Sequence, residues 1–348
     1  VTVWRCPTYV PAAPTGPKRL AHFASFALSS LPVVLAHVAW RPDFILVVAP
    51  TLASAPGALL AARLSGACSW LHVQDYEVDV AIRLGLLPPA GRSALKHLEG
   101  ALLRAFDAVS SITEPMLGVA REAGVPAERL VLLPNWAKLS DVYPLDRPSR
   151  FRAQLGIPAE TPVVLYSGNL GRKQSVARIG DAALRSQEAG SPAVYVASGD
   201  GAEHEALDSR VVAHGLTNLF RLPLQPDGSF NELLNLADVH LIVQEAGVAD
   251  LVMPSKLTNM LASGRPVIAT AAPGTALARL VRENDVGMVV DPGDPDSLAR
   301  AVDDLLADPE RRARQAANAR AYAEANLDRE RLLQTALDSL ERRRPRPS

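Results

Sequence analysis

The sequence is poor in cysteine and carries almost no excess of charge. Its two cysteines, Cys6 and Cys68, lie in no spacing that would hold a metal ion. We therefore expect neither a disulfide framework nor a zinc site, and a reducing cytoplasm is the expected compartment. The formal net charge of −1 argues against a nucleic-acid partner, because no basic field would attract phosphates. The N-terminus also lacks the charged segment, apolar core and cleavage site of a secretory signal.

The sequence also lacks an uninterrupted apolar run of membrane-spanning length. Residues 20–40 come closest, but Pro32 interrupts them and serines dilute them, whereas a spanning helix needs about 20 predominantly apolar residues. The composition favours a largely buried helix. The alternative is a helix at the membrane surface, because the basic residues Lys18 and Arg19 lie at its start. Residues 18–40 are therefore the candidate for a peripheral contact with the inner face of the cell membrane.

Short apolar runs alternate with amphipathic segments, which is typical of parallel sheets covered by helices. In the first half the pattern predicts strands over 44–49, 69–73, 107–112 and 130–133, and helices over 51–64, 93–106 and 114–123. In the second half it predicts strands over 163–167, 193–198, 219–222, 239–243 and 266–269, and helices over 175–189, 204–214, 256–263, 295–306 and 310–340. The predicted fold class is α/β, with two Rossmann-like domains facing each other across a cleft.

Residues 136–150 predict a linker, because they combine prolines with mixed charge. We place the N-terminal domain at residues 1–143 and the C-terminal domain at 144–325. A helix end and a basic, proline-rich tail occupy 326–348. Residues 1–5 (VTVWR) predict a strand with no lead-in, so we expect the first βα unit of the N-terminal domain to be missing from this sequence.

Residues 166–173 (YSGNLGRK) combine a strand end, two glycines and two adjacent cations. This arrangement suits a diphosphate. The glycines Gly168 and Gly171 allow close backbone approach, Arg172 offers a planar fork, and Lys173 offers a point charge. The alternative is an ordinary strand-to-helix turn with a solvated basic pair, and residues 166–173 alone do not separate the two.

Residues 254–267 (PSKLTNMLASGRPV) predict a short helix followed by a strand. Ser255 can cap this helix and Gly264 can end it. Lys256 and Asn259 lie three residues apart on one helical face, where a phosphate or a ribose hydroxyl could be met. An ordinary capped helix explains Ser255 and Gly264, but it does not explain a lysine in the first turn.

Taken together, the motifs resemble a known family. YSGNLGRKQ, SGDG (Ser198–Gly201) and PSKLTNMLASGRPVIAT are similar to the large family 4 of retaining glycosyltransferases with the GT-B fold. The resemblance is to bacterial enzymes of colanic-acid and O-antigen biosynthesis, of the N-acetylfucosamine-transferase type. WRCPTYVP, LHVQDYEVD and LPNWA resemble the same subgroup. The resemblance implies that residues 1–143 form the acceptor side and that residues 144–325 bind a nucleotide sugar.

The resemblance also implies a donor site. Arg172 and Lys173 match the cations that hold the donor diphosphate and stabilise the departing nucleotide, so we expect no metal ion and no other cofactor. Many relatives carry a Glu-x7-Glu signature, but its two positions are Leu251 and Asn259 here; Glu245 and Asp250 are the nearest acids. The implied donor-binding residues are Gly168, Asn169, Gly171, Gly199, Asp200, Gly201, Pro254, Ser255, Lys256, Leu257 and Asn259.

In the first half, His72 matches a histidine that family members place near the transferred sugar. With Asp75 it completes the implied catalytic set of Arg172, Lys173, His72 and Asp75; Gln74, Glu77 and Asn135 are implied on the acceptor side. Other interpretations stay open. A histidine at a strand end is often only a hydrogen-bonded structural group, Asp75 and Glu77 could cap the next segment, and Asn135 could be a turn residue.

The predicted function is transfer of a sugar from a nucleotide-sugar donor to a lipid-linked oligosaccharide acceptor, a growing cell-surface polysaccharide, with retention and without a metal. The alternatives are a sugar-nucleotide epimerase of the same fold and a non-catalytic protein that binds nucleotide sugars. A nicotinamide oxidoreductase is disfavoured, because no Gly-x-Gly-x-x-Gly follows the first strands.

Overall fold

The computed structural model describes residues 1–11, 16–49, 52–76, 89–171, 176–244, 253–292, 294 and 296–343. The chain forms two compact units. Unit 1 comprises Val1–Pro134 and Leu332–Ser348, and unit 2 comprises Asn135–Arg331. Each unit contains its own parallel sheet.

The sheet of unit 1 has its four described strands in chain order, all parallel. Its second strand is buried at every position, whereas Leu46 and Val48 on the first strand are exposed. The first strand is therefore an edge strand with one face uncovered in the described structure. The strands are β1 (Phe44–Ala49), β2 (Cys68–Val73), β3 (Ala108–Ser111) and β4 (Leu130–Leu132). The α-helices are α1 (Gly16–Ala36), α2 (Ala55–Ser65), α3 (Pro89–Ala105) and α4 (Glu114–Glu122), and 3₁₀ turns cover His37–Trp40, Leu52–Ser54 and Ala127–Arg129.

The sheet of unit 2 is doubly wound, with the order β10-β9-β8-β5-β6-β7. Its strands are β5 (Val163–Ser167), β6 (Val194–Ser198), β7 (Leu219–Leu222), β8 (Val239–Ile242), β9 (Val267–Thr270) and β10 (Gly287–Val290). The chain leaves β5 in one direction towards β7 and returns to its other side at β8. The carboxyl ends of β5 and β8 therefore form the switch point at which such sheets bind ligands.

Helices cover both faces of this sheet, and caps explain where several begin. The hydroxyl of Thr275 accepts a hydrogen bond from Ala278 N, and the carboxylate of Asp308 accepts one from Arg311 N. The helices of unit 2 are α5 (Arg150–Leu155), α6 (Ala177–Glu188), α7 (His204–His214), α8 (Phe230–Leu234), α9 (Lys256–Ala262), α10 (Ala276–Glu283), α11 (Ser297–Leu306) and α12 (Pro309–Asn326), with a 3₁₀ turn at Asp227–Ser229. A last helix, α13 (Arg329–Glu341), begins in unit 2 and continues into unit 1.

Some predicted elements are wrong. Residues 1–5 form neither a helix nor a strand. The helix predicted over 310–340 is broken, because Leu327 O accepts a hydrogen bond from Ala137 N at 2.8 Å and the Asp328 carboxylate then caps α13. The sequence patterns also missed α5, α8, α10 and β10. The remaining predicted strands and helices are confirmed to within a few residues of their ends. This includes the described part of the helix predicted over 51–64.

The expectation that residues 20–40 form a buried helix is wrong. Leu20–Trp40 is long and apolar enough to cross a membrane, with a mean hydropathy of 1.6, and none of it is buried in unit 1. The helix α1 continues through Pro32 as far as Ala36. From Leu20 onward its exposed positions recur mostly every four residues and carry only apolar side chains; they are Leu20, Ala21, Ala24, Leu28, Pro32 and Ala36. We call these six residues the α1 stripe.

Candidate functional site

The turns that follow β5 and β6 lie side by side at the carboxyl edge of the sheet in unit 2. Gly168 N donates a hydrogen bond to Ser198 O, and Leu170 N donates one to Asp200 O, each at 2.9 Å. Gly168 and Asn169 are exposed at this edge, and Gly171 is half-buried. The structure therefore brings together two motifs that are thirty residues apart in the sequence.

Close contact between these two turns explains two of the glycines. A Cβ added at Gly199 would lie 2.0 Å from Gly168 O, and one at Gly201 would lie 2.5 Å from Leu170 O. Both glycines also have a positive φ, 139° and 157°. Gly199 and Gly201 are thus required by the packing of one turn on the other, whatever ligand the turns hold.

The second turn is also stabilised by its own carboxylate. Asp200 is exposed, and its side chain accepts a hydrogen bond from Gly201 N at 2.8 Å. The imidazole of His204 lies 3.7 Å from the same carboxylate. Asp200 therefore has a structural task in the turn in addition to any contact with a donor.

Lys256 reaches from α9 to the first turn. Its Nζ atom lies 3.9 Å from the centroid of the Tyr166 ring, and a Cβ at position 168 would lie 3.4 Å from the same atom. The Nζ atom is inaccessible to solvent and has no hydrogen-bond partner among the described residues. Because burial removes water from the ammonium group, it lowers the pKa of Lys256 to about 7.

Two further side chains at this switch point, Tyr166 and Gln244, were given no role in the sequence analysis. The hydroxyl of Tyr166 donates a hydrogen bond to Asn169 O at 2.7 Å, and this bond stabilises the turn that follows β5. Gln244 directly follows the apolar end of β8, and its backbone exchanges hydrogen bonds with the Thr270 hydroxyl. The side-chain Oε1 of Gln244 is buried without a partner in the described structure. The signal in the sequence was a polar residue at the end of an apolar strand (VHLIVQ).

The other predicted residues of this motif have mixed surroundings. Ser255 occupies the N-cap position of α9, but its hydroxyl makes no capping hydrogen bond, so the predicted side-chain cap is wrong. Asn259 is half-exposed, whereas Pro254 and Leu257 are buried and Leu257 belongs to the hydrophobic core. Gly264 ends the helix with a φ of 65°, as predicted.

Several predicted residues lie outside the described residues. They are Arg172 and Lys173 of the predicted catalytic set, Glu77 of the acceptor side, and the positions 245, 250 and 251 considered for the acidic signature. Their roles stay predictions. Asn135 is half-buried and is the first residue of unit 2.

His72 in unit 1 has a partner on each ring nitrogen. Nδ1 lies 2.8 Å from the Ser110 hydroxyl, which also accepts a hydrogen bond from the Trp70 indole N–H at 2.7 Å. Nε2 lies 2.7 Å from the side-chain amide of Gln74. Burial lowers the pKa of His72, so the imidazole is neutral near pH 7. Because both ring nitrogens have partners, the imidazole is held in one orientation. A substrate can bind Nε2 if the half-buried Gln74 side chain moves away from it.

Asp75 and Tyr76 follow β2 directly after Gln74. Asp75 is half-buried and interacts with a neighbouring group. Tyr76 is 1% exposed, and its hydroxyl donates a hydrogen bond to Met116 O at 2.8 Å. The buried Tyr76 therefore anchors the segment that carries Gln74 and Asp75. No group of three or more metal-ligating side chains was found in the part of the chain that the structure describes.

A doubly wound parallel sheet whose switch point carries glycine turns and a buried cation is typical of Rossmann-like domains. The sequence also matches the signatures of two known protein families. The signature of glycosyl transferases group 1 matches residues 149–322, and that of the glycosyl transferase 4-like domain matches residues 1–136. The chain belongs to the group 1 glycosyltransferases, as the motifs predicted, and it is a transferase.

Full-length relatives agree with this assignment. WcaI of Escherichia coli (strain K12), a glycosyl transferase assigned by its name to colanic acid biosynthesis, is 38% identical over 97% of this chain and 84% of its own length. LpsE of Rhizobium meliloti (strain 1021), a lipopolysaccharide core biosynthesis glycosyltransferase, is 25% identical over 86% of this chain and 76% of its own length.

Solved structures confirm the predicted GT-B fold. Anabaena HepE in complex with UDP superposes with a TM-score of 0.73 and 20% identity, over 90% of this chain and 84% of that protein. The sucrose-phosphate synthase of Thermosynechococcus elongatus gives a TM-score of 0.71 at 20% identity, over 94% of this chain and 79% of its own.

Proposed function

We propose that this enzyme transfers a sugar from a nucleotide-sugar donor to a growing, lipid-linked cell-surface polysaccharide. The observation that carries the donor assignment is at the switch point of unit 2, where the Nζ of Lys256, which has no partner among the described residues, lies against the exposed turn at Gly168. A buried cation without a partner is costly, and an anionic ligand relieves that cost. A diphosphate at this edge of a doubly wound sheet supplies such an anion.

The comparisons support the donor and the acceptor class. HepE, which shares the fold, was solved with UDP and with UDP-glucose. WcaI and LpsE are named for the biosynthesis of colanic acid and of the lipopolysaccharide core. The polysaccharide acceptor is therefore the natural extension to a chain that is 38% identical to WcaI.

The proposed reaction retains the configuration of the transferred sugar and uses no metal ion. The acceptor hydroxyl attacks the anomeric carbon on the face from which the diphosphate departs, and the departing diphosphate takes the hydroxyl proton. Arg172 and Lys173 would neutralise the negative charge that grows on the diphosphate, the task that a metal ion performs in other enzymes.

A lipid-linked acceptor requires the enzyme to work at a membrane surface in the cytoplasm. The α1 stripe supports this proposal, because an exposed helix face without a polar side chain suits the boundary between headgroups and acyl chains. Lys18 at the start of α1 is exposed and adds attraction to anionic lipids. We propose that α1 lies on the membrane.

The donor assignment is tested by binding and turnover. We expect UDP-glucose, GDP-mannose or dTDP-glucose to raise the melting temperature of the protein, and labelled sugar to pass from the bound donor into the lipid extract of bacterial membranes. Arg172→Ala should lower this turnover by about 10²–10³, the scale for losing one preorganised donor to a developing charge.

Arg185→Ala is the matched control, because Arg185 is exposed in unit 2 and pairs with Glu188 and Asp296. It should leave turnover unchanged. Turnover close to wild type in Arg172→Ala would remove Arg172 from the mechanism, and the absence of any stabilising nucleotide sugar would overturn the donor assignment.

The membrane contact is tested by flotation with vesicles that contain anionic phospholipid. Leu28→Glu places a charge in the middle of the α1 stripe, where Leu28 is 70% exposed, so it should abolish flotation without changing stability. Leu224→Glu is the control, because Leu224 is 79% exposed in unit 2 and lies outside the stripe. Equal flotation of both variants would contradict the contact.

A further inference from the structure

The ammonium group of Lys256 is placed in a way that is unusual for a lysine. Lysine normally buries its aliphatic stem and keeps its charged end in water. Here the residue as a whole is half-buried, and the Nζ atom is inaccessible to solvent. The charged end is therefore turned inward, onto the face of the Tyr166 ring at 3.9 Å.

Among the described residues, Nζ has one stabilising contact and no hydrogen-bond partner. A cation over an aromatic face gains about 0.5–2 kcal/mol, but the described structure supplies no oxygen to any of the three N–H groups. On the open side lies Gly168, whose missing side chain leaves the path from Nζ towards the exposed turn clear.

We propose that Lys256 is a proton-linked phosphate ligand of the donor: it rests on Tyr166 in the free enzyme and turns to the diphosphate, as a full cation, when the nucleotide sugar binds. This inference rests on the proposed function, because it takes the turn at Gly168 as the donor site. It adds a third cation to Arg172 and Lys173, and it makes donor binding depend on pH.

The pH dependence follows from the free state. Burial lowers the pKa of Lys256 to about 7, and a phosphate partner restores it towards the usual range above 10. Between these two values the free enzyme binds fewer protons than the complex, so donor binding takes up a proton and weakens as the pH rises. The diphosphate of a nucleotide sugar keeps its two charges throughout this range and adds no proton of its own.

Other groups near Lys256 do not explain such a dependence. The titratable described groups that face it are Tyr166 on β5 and His240 on β8. Burial raises the pKa of Tyr166 and lowers that of His240 to about 3, so neither changes charge between neutral and weakly alkaline pH. Lys173 lies outside the described residues, and a variant at that position separates its contribution.

The test is the dissociation constant of the best-binding probe among UDP-glucose, GDP-mannose and dTDP-glucose, measured by calorimetry. For the wild type we expect Kd to rise by about 25-fold from about pH 6.5 to about pH 8.5, with uptake of close to one proton near pH 8. Lys256→Met should bind more weakly than the wild type at the lower pH, show no proton uptake, and lose part of this deficit as the pH rises, because only the wild-type affinity falls.

Three further variants sharpen the result. Lys256→Arg should bind with an affinity that does not depend on pH, because a guanidinium stays charged. Lys173→Met should bind more weakly at every pH while keeping the wild-type slope. Lys138→Met removes an exposed lysine of unit 2 that pairs with Asp141, and it should match the wild type throughout.

A second measurement does not depend on a ligand. The chain has five lysines, so ¹³C-labelled lysine gives a small set of resonances in which one should titrate near pH 7 and vanish in Lys256→Met. A pH-independent Kd equal in wild type and Lys256→Met, or no lysine titrating near pH 7, would overturn this proposal while leaving the donor assignment intact. Absence of binding by the wild type would overturn both.

Discussion

The buried polar side chains near the end of β2 in unit 1 are hydrogen-bonded to one another, whereas those beyond the end of β8 in unit 2 lack partners among the described residues. At the end of β2, Trp70, His72 and Gln74 are joined through the Ser110 hydroxyl and one imidazole ring. Beyond the end of β8, Gln244 and Lys256 each bury a polar atom that has no partner in the described structure.

A hydrogen-bonded network and an unpaired buried group have different effects on the stability of the free protein. A paired network fixes the direction of its groups and loses stability when it is broken. An unpaired buried group costs stability in the free protein, and it is kept where a ligand supplies the missing partner. The comparison therefore predicts that substitutions at the two strand ends change stability with opposite signs.

The largest expected effect is at Lys256. Its pKa is lowered to about 7 in the folded protein, below the usual lysine value near 10.4, so the folded state binds fewer protons than the unfolded state between those values. Stability of the wild type should therefore rise with pH in this window. Lys256→Met should be the more stable variant near pH 7, and its advantage should shrink by about 2 kcal/mol by about pH 9.

Urea unfolding of unit 2 at a series of pH values measures this effect. Lys138→Met serves as the control, since an exposed ion pair contributes about 0–1 kcal/mol and no pH slope in this range. An advantage of Lys256→Met that stays constant with pH would show that the ammonium is hydrated in the folded protein.

An effect of comparable size and opposite sign is expected at Ser110. Ser110→Ala leaves the Trp70 indole N–H and the His72 Nδ1 without their shared partner, which should cost about 1–3 kcal/mol. Trp70 is 2% exposed, so its fluorescence reports the unfolding of unit 1. Ser111→Ala is the matched control, because the Ser111 hydroxyl donates only to Val73 O among the described hydrogen bonds. Equal losses in the two variants would mean that the network has no special weight.

The regular part of the fold could be predicted because local patterns determine it. The strand at 163–167 is a continuous, mostly apolar run, and both this strand and the helix at 204–214 begin and end as predicted. The strand Gly287–Val290 escaped prediction because it is short and begins with glycine. The break at Leu327 also escaped, because its cause is a hydrogen bond from Ala137, far away in the sequence.

The sequence motifs named candidate residues of the site but could not give their contacts. They placed Lys256 where a phosphate or a ribose hydroxyl could be met, and only the tertiary structure shows its ammonium group turned inward onto Tyr166. Likewise, Gly199 and Gly201 suggested approach to a ligand, whereas their immediate neighbour is the backbone of the turn at 168–170. Gln244 was overlooked because the surrounding sequence forms no recognisable motif.

The division of unit 1 between the two ends of the chain has a consequence for biosynthesis. Residues 332–343 belong to unit 1, and Arg343 donates a hydrogen bond to Glu128 O there. Unit 2 is continuous from Asn135 to Arg331, so all of it is synthesised before the last segment of unit 1 is made. The unit that is translated first is therefore the unit that is completed last, because residues 332–343 supply contacts of unit 1.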